Sequence, residues 1–176
     1  MSTKALMTVE EFSQLSDTED FELVEGELVT WSSGTPQHAA VRGVAEYSLR
    51  SYFRRNAIGQ VYAEVDCALS SNTVRRPDVG VFVGPRVQQI DRRHVPIPFP
   101  PDIAVEVISS SELAVNVNRK ALDYLRAGTQ EVWLLDPENG EIFVQTDTGM
   151  RLLRGTEALH SSLLPGFSVS VAELFG

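Results

Sequence analysis

Apolar positions recur with two different periods along this chain. A helical period runs through Val41, Val44, Ala45, Leu49, Tyr52 and Phe53, opened by Thr35-Pro36 as N-cap and first helical residue, with Gly59 as the expected stop. Arg42, Glu46, Arg50 and Arg54 lie four apart on another face of that helix, where Glu46 can pair with its neighbours. A second helix is expected over residues 113–127, capped by residues 109–112 (Ser-Ser-Ser-Glu) and closed by Gly128. Lys120 and Tyr124 sit four apart on it, beside an apolar side of Val117, Ala121 and Leu125. Thr8 followed by Glu11 makes a capping box for a short helix through Phe12 and Leu15.

Between these helices the period falls to two. Residues 21–24 and 27–30 are β-prone runs separated by Glu25-Gly26, the spacing of a tight hairpin. Residues 61–69 alternate, with Val61, Ala63, Val65, Cys67 and Leu69 on one face, as in one half-buried strand. Residues 74–83 form another run in which Val79, Val81 and Val83 share a face and Asp78 points away. In residues 102–108, Ile103, Val105 and Val107 share a face opposite Glu106. Residues 131–136 are almost continuously apolar, as near a sheet centre, and two turns then set up a meander through 141–146 and 150–153. Residues 84–101, rich in proline and arginine, form an 18-residue loop long enough to suggest a binding loop, an arm for a partner subunit, or disorder.

Strands and helices intermingle, so the class is α/β with an N-terminal β-hairpin. At 176 residues and 43% hydrophobic content the chain can close one sizeable core, and a single domain over residues 1–176 is expected. The lone Cys67 cannot form an internal disulfide and reads as inert core. No apolar run is long enough for a membrane span, and the N-terminus lacks the apolar centre of a signal peptide, so a cytoplasmic protein is expected. The net charge of −9 argues against a polyanionic partner, but it is unevenly spread: −7 over residues 1–41, +4 over 42–93 and −6 over 94–176. The middle third carries nine arginines and no lysine; Arg50 and Arg54 on the helix, or Arg92 and Arg93 in the loop, are candidate phosphate contacts. A set of solvated arginines is the simpler reading of charge alone.

Two carboxylates interrupt strands of valine and isoleucine, and buried charges of that kind need a partner. Asp78 and Glu106 can share a hard divalent cation, and Lys120, on the helix after the Glu106 strand, can supply an ammonium beside it. Asp102 competes with Asp78, but it lies four residues before Glu106 on one strand, hence about 13 Å away at ~3.3 Å per residue, too far to share an ion.

Arg76-Pro77-Asp78-Val79, then Pro101-Asp102-Ile103-Ala104-Val105-Glu106-Val107-Ile108-Ser109, Lys120 with Tyr124, Ala127-Gly128 and Glu131-Val132-Trp133-Leu134-Leu135-Asp136-Pro137 resemble a widespread bacterial "putative restriction endonuclease" family of the PD-(D/E)XK nuclease superfamily. The likeness extends to residues 21–28 and to Leu164-Pro165-Gly166-Phe167. It implies a restriction-endonuclease-like mixed β-sheet flanked by helices, Mg²⁺-dependent hydrolysis of DNA with Mn²⁺ as a substitute, a homodimer, and neither membrane nor organic cofactor. Carried over position by position, Asp78 and Glu106 look like the metal carboxylates and Lys120 like the catalytic lysine. Ile108 occupies the place of the superfamily's usual lysine, so Lys120 must reach back from the helix, and Asn116 stands where relatives often have aspartate.

His38, in the first turn of the long helix, can approach the metal or a phosphate, or sit on the surface as a helix-start residue. Glu22 is either a further carboxylate near the metal or an exposed strand residue. Tyr124, Trp133 and Trp31 read as core or interface aromatics, and the serines at 109–111 as a cap, since no histidine is placed to activate a nucleophile. Besides a nuclease, two other classes fit: a catalytically inactive nucleic-acid or protein-binding module, and a metal-dependent hydrolase of another phosphate ester.

Overall fold

Thr8 caps helix α1 (Val9–Phe12): its hydroxyl accepts from Glu11 N–H while the Glu11 carboxylate accepts from Thr8 N–H. The computed structural model describes residues 6–30, 34–110 and 112–176, so Trp31, Ser111 and the N-terminal five residues lie outside the described residues. Strands β1 (Phe21–Val24) and β2 (Glu27–Thr30) pair in the expected hairpin, with Phe21 opposite Thr30 and Val24 opposite Glu27. Both turn residues are left-handed, Glu25 at φ 51° and Gly26 at φ 83°, the turn whose twist matches a hairpin. A Cβ on Gly26 would also lie 2.6 Å from that of Leu6.

Helix α2 (Pro36–Arg55) starts at the predicted cap, Thr35 accepting from His38 N–H, but ends four residues before Gly59. Asn56 stops it, bonding Tyr52 O through both its backbone N–H and its side-chain amide. Gly59 instead opens β3 (Gly59–Ala63), where a Cβ would collide with Phe82 O, so close strand approach is what requires glycine there.

The two long alternating runs are each broken in the structure. Residues 61–69 divide into β3 and β4 (Cys67–Ser70) at Glu64, which adopts φ 52° and donates its N–H to Asp78 O. Residues 74–83 divide into β5 (Thr73–Arg75) and β6 (Val79–Val83) around Pro77, which has no N–H for a ladder. β3 and β6 pair in one sheet and β4 and β5 in another, so Asp78 stands where the chain crosses between them.

After β6 the loop packs on its own chain rather than projecting as an arm: Ile97 is buried beside Cys67, and Arg86 bonds Asp102 at 2.7 Å while stacking on Phe99. There follow β7 (Ile103–Val107), α3 (Ala114–Ala127), β8 (Glu131–Asp136), β9 (Glu141–Thr146), β10 (Gly149–Arg154), β11 (Ala158–Leu159), β12 (Val169–Ser170) and α4 (Val171–Phe175). Leu113, with no side-chain cap, replaces the serine cap expected for α3, while Gly128 closes it in the left-handed conformation at φ 107° as expected.

The main sheet runs β10-β9-β8-β7-β6-β3 and the smaller one β2-β1-β5-β4. Only the α3 crossover, from β7 to β8, joins parallel strands of the main sheet, so the sheet is mixed as expected. Strand parity decides what each helix covers. Ile103, Val105, Trp133 and Leu135 pack with Val41, Ala45 and Leu49 of α2, whereas Ala104, Val132 and Leu134 pack with Val117, Ala121 and Tyr124 of α3. Glu106 shares the parity of Ala104, which aims its carboxylate at α3 from a fully buried strand. Among the described residues, no helix is long and apolar enough to cross a membrane.

Candidate functional site

Antiparallel pairing of Val79 with Val105 brings the residue before β6 alongside the C-terminal end of β7. Asp78 Oδ2 there accepts the backbone N–H of Val107 at 2.6 Å, and His38 Nε2, from the first turn of α2, lies 3.2 Å from the same oxygen. From the opposite side α3 presents Lys120 and Tyr124 on one face. Lys120 Nζ donates to Glu106 Oε2 at 2.9 Å and Tyr124 OH to Glu106 Oε1 at 2.8 Å, so each carboxylate oxygen has one partner and a lone pair to spare. Lys120 also lies 3.4 Å from Glu22 Oε1 and 3.4 Å from Arg76 O.

Glu22 reaches this cluster from β1 and is buried rather than exposed. Arg75 Nη1 holds its Oε2 at 2.8 Å and Arg76 N–H its Oε1 at 2.8 Å, while Arg75 uses its Nε and Nη2 on Asp123. His38 is likewise buried instead of lying on the surface. Glu22, His38, Asp78, Glu106 and Lys120 line one cavity of about 410 Å³, so the tertiary structure brings together all five residues singled out in the sequence.

The charges are unbalanced in an informative way. Burial pushes the Glu106 carboxyl up to about 8, with Asp78 and Glu22 adding to the rise and Lys120 opposing it. Burial also works to raise Glu22, but Lys120, Arg75 and the Arg76 N–H outweigh it and hold this carboxyl below its ordinary value. Burial opposes the charge on Lys120, yet Glu106, Glu22 and Asp78 outweigh that and keep it an ammonium. The hydrogen bond to Asp78 raises His38 against the effect of burial.

Hard oxygen donors of Asp78 and Glu106 facing one cavity suit Mg²⁺ or Mn²⁺, and the strained ionisation of Glu106 is the demand that an added cation would meet. Among the described residues, no three His, Cys, Asp or Glu side chains are grouped so as to hold a metal ion.

Asp102, the competing aspartate, is structural: its carboxylate accepts from Val83 N–H and pairs with Arg86. Arg76 points out of the cavity, its guanidinium bonded to Asp66 and to the carbonyls of Thr18 and Glu19. Arg42 pairs with Glu64 and Arg50 with Glu46. Of the nine middle-third arginines only Arg75 lines the cavity, and it is spent on Glu22 and Asp123. The residues that sequence reasoning missed are Arg75, the anchor of Glu22, and the hydroxyl of Tyr124. The second was signalled by its position four residues after Lys120 on the same helix face; the first had no local signal, its partner being 53 residues away.

A family model described as "Uma2: Putative restriction endonuclease" matches residues 9–172. The fold is that of the crystal structure of a putative nuclease belonging to DUF820 from Anabaena variabilis ATCC 29413, with a TM-score of 0.84 and 24% identity over 96% of this chain and 97% of that one. No curated protein is similar enough to match.

Proposed function

The chain belongs to the Uma2 family of putative restriction endonucleases, and from that premise we propose that it hydrolyses phosphodiester bonds of duplex DNA as a cytoplasmic homodimer, using Mg²⁺ or Mn²⁺ held by Asp78 and Glu106. The observation that carries this reading is the convergence of Lys120 Nζ on Glu106 Oε2 at 2.9 Å, with Asp78, the residue before β6, lining the same cavity. When bound, the cation would polarise the phosphodiester and lower the pKa of an attacking water. In this reading the Lys120 ammonium, held by Glu106 Oε2, Glu22 Oε1 and Arg76 O, would stabilise the negative charge that grows on the phosphoryl oxygens. Tyr124 orients Glu106, and His38 and the Val107 N–H orient Asp78. Glu22, engaged by Arg75 and by the Arg76 N–H, would hold Lys120 in place through its Oε1.

The test is conversion of supercoiled plasmid to nicked or linear product in Mg²⁺ and in Mn²⁺. Wild type should cut only with metal, and Asp78→Asn and Glu106→Gln should not cut at all. Cleavage by Glu106→Gln at the wild-type rate refutes the assignment, and plasmid bound but left intact by wild type in both metals would make the chain a binding module.

A further inference from the structure

Two arginines line the cavity, and they are in opposite situations. The Arg75 side chain is 7% exposed and committed to Glu22 and Asp123. Arg119, the residue before Lys120 on α3, is 54% exposed and pairs at 2.8 Å with Glu25, itself 73% exposed on the left-handed turn of the β1–β2 hairpin. We propose that Arg119 is the site's phosphate anchor, held by the Glu25 carboxylate until a backbone phosphate of the DNA strand takes that carboxylate's place. The inference rests on the nuclease reading and deepens it by naming what grips the strand beside the reacting phosphate.

Three observations support it. An ion pair between two exposed side chains is weak and screened by salt, so exchanging Glu25 for another anion costs little. A guanidinium meets a phosphate through two parallel N–H donors, a stronger contact than the single Nη2 bond that Arg119 makes to Glu25. The neighbouring cations also stand at different depths: the Lys120 side chain is 11% exposed against the acidic wall, and Arg119 is at the mouth. A polyanionic strand entering the cavity meets the guanidinium first and the ammonium second. Glu25 is then both a placeholder and a repulsive charge toward the strand.

The two partners of this pair should therefore act with opposite signs on DNA binding, which a merely structural pair does not do. The probe is a fluorescein-labelled duplex oligonucleotide, its anisotropy titrated with the full chain in metal-free buffer at several salt concentrations. Arg119→Gln should weaken binding about tenfold and shrink the salt slope by about one. Glu25→Gln should tighten binding severalfold, and Arg119→Lys should recover only part of the loss. Thermal melts of each variant verify that the chain remains folded. Equal weakening by Arg119→Gln and Glu25→Gln, or no change in either, overturns the proposal. If that happens while wild type still cuts plasmid through Glu106, the nuclease reading stands without the anchor; if wild type neither binds nor cuts DNA, both fall.

Discussion

Replacing Lys120 with alanine tests the proposed catalytic role of the ammonium separately from its contribution to stability. Its side chain is 11% exposed and 2.9 Å from a Glu106 carboxylate that is itself 11% exposed, so removing it leaves a buried carboxylate facing Glu22 and Asp78 with Tyr124 as its remaining donor. Above about pH 8, where both groups are charged, breaking such a buried pair costs about 3–5 kcal/mol. For a chain of this size that is a fall in melting temperature of roughly 6–20 °C. Glu106 can relieve part of the cost by taking up a proton, since its pKa already stands at about 8, so the loss should be smaller at pH 6 than at pH 8. The double variant Lys120→Ala/Glu106→Gln should recover most of the lost stability, because neither charge is then buried. Activity should behave differently: losing a preorganised cation at the developing charge slows turnover by about 10²–10³, and the double variant should stay inactive. The assay is single-turnover cleavage of supercoiled plasmid beside a thermal melt of the same preparation. If folded Lys120→Ala cuts at the wild-type rate while Glu106→Gln does not cut, the reasoning is refuted, and Lys120 is only a structural counter-charge for Glu22 and Glu106.

Calorimetric titration with Mn²⁺ should show binding to wild type and its loss in Asp78→Asn; equal affinity would remove Asp78 from the ligand set. Between the ordinary value of 4.5 and the folded value of about 8, the folded chain carries a proton on Glu106 that the unfolded chain has released. Stability of the metal-free protein should therefore fall as pH rises through that window, while Mn²⁺ affinity should rise over it, and Glu106→Gln should flatten the stability trend. Two glycines should respond oppositely to alanine in denaturant melts. Gly59→Ala, colliding with the Phe82 carbonyl, should cost about 1–3 kcal/mol, whereas Gly43→Ala, in the interior of α2 with open space around it, should gain up to about 1 kcal/mol.

Periodicity by itself determined the β1–β2 hairpin, the start of α2, the α3 helix with its Gly128 stop, and the buried β7 and β8, because each of these follows from capping chemistry or from a repeat of two or 3.6 within a dozen residues. Asp78 and Glu106 were legible because a carboxylate in an apolar run is conspicuous whatever surrounds it, and Lys120 through its place on the helix after the Glu106 strand and the family resemblance. Pro77 marks the break of residues 74–83 in the sequence itself, whereas tertiary structure alone decided where residues 61–69 break. Glu64 takes up a left-handed φ with no glycine to announce it where the chain leaves the main sheet, and the return crossing from β5 to β6 is what places Asp78 beside β7. It also decided the fates of Glu22, His38 and the arginines. Alternation tells which face a side chain occupies but not what covers that face, and the groups that bury Glu22 come from β5 and α3, through Arg75 at 53 residues' separation and through Lys120. Long-range pairs of this kind leave no local trace because their partners meet only after two sheets and a helix have packed, and desolvation, which pushes Glu106 up to about 8, exists only in that packed state.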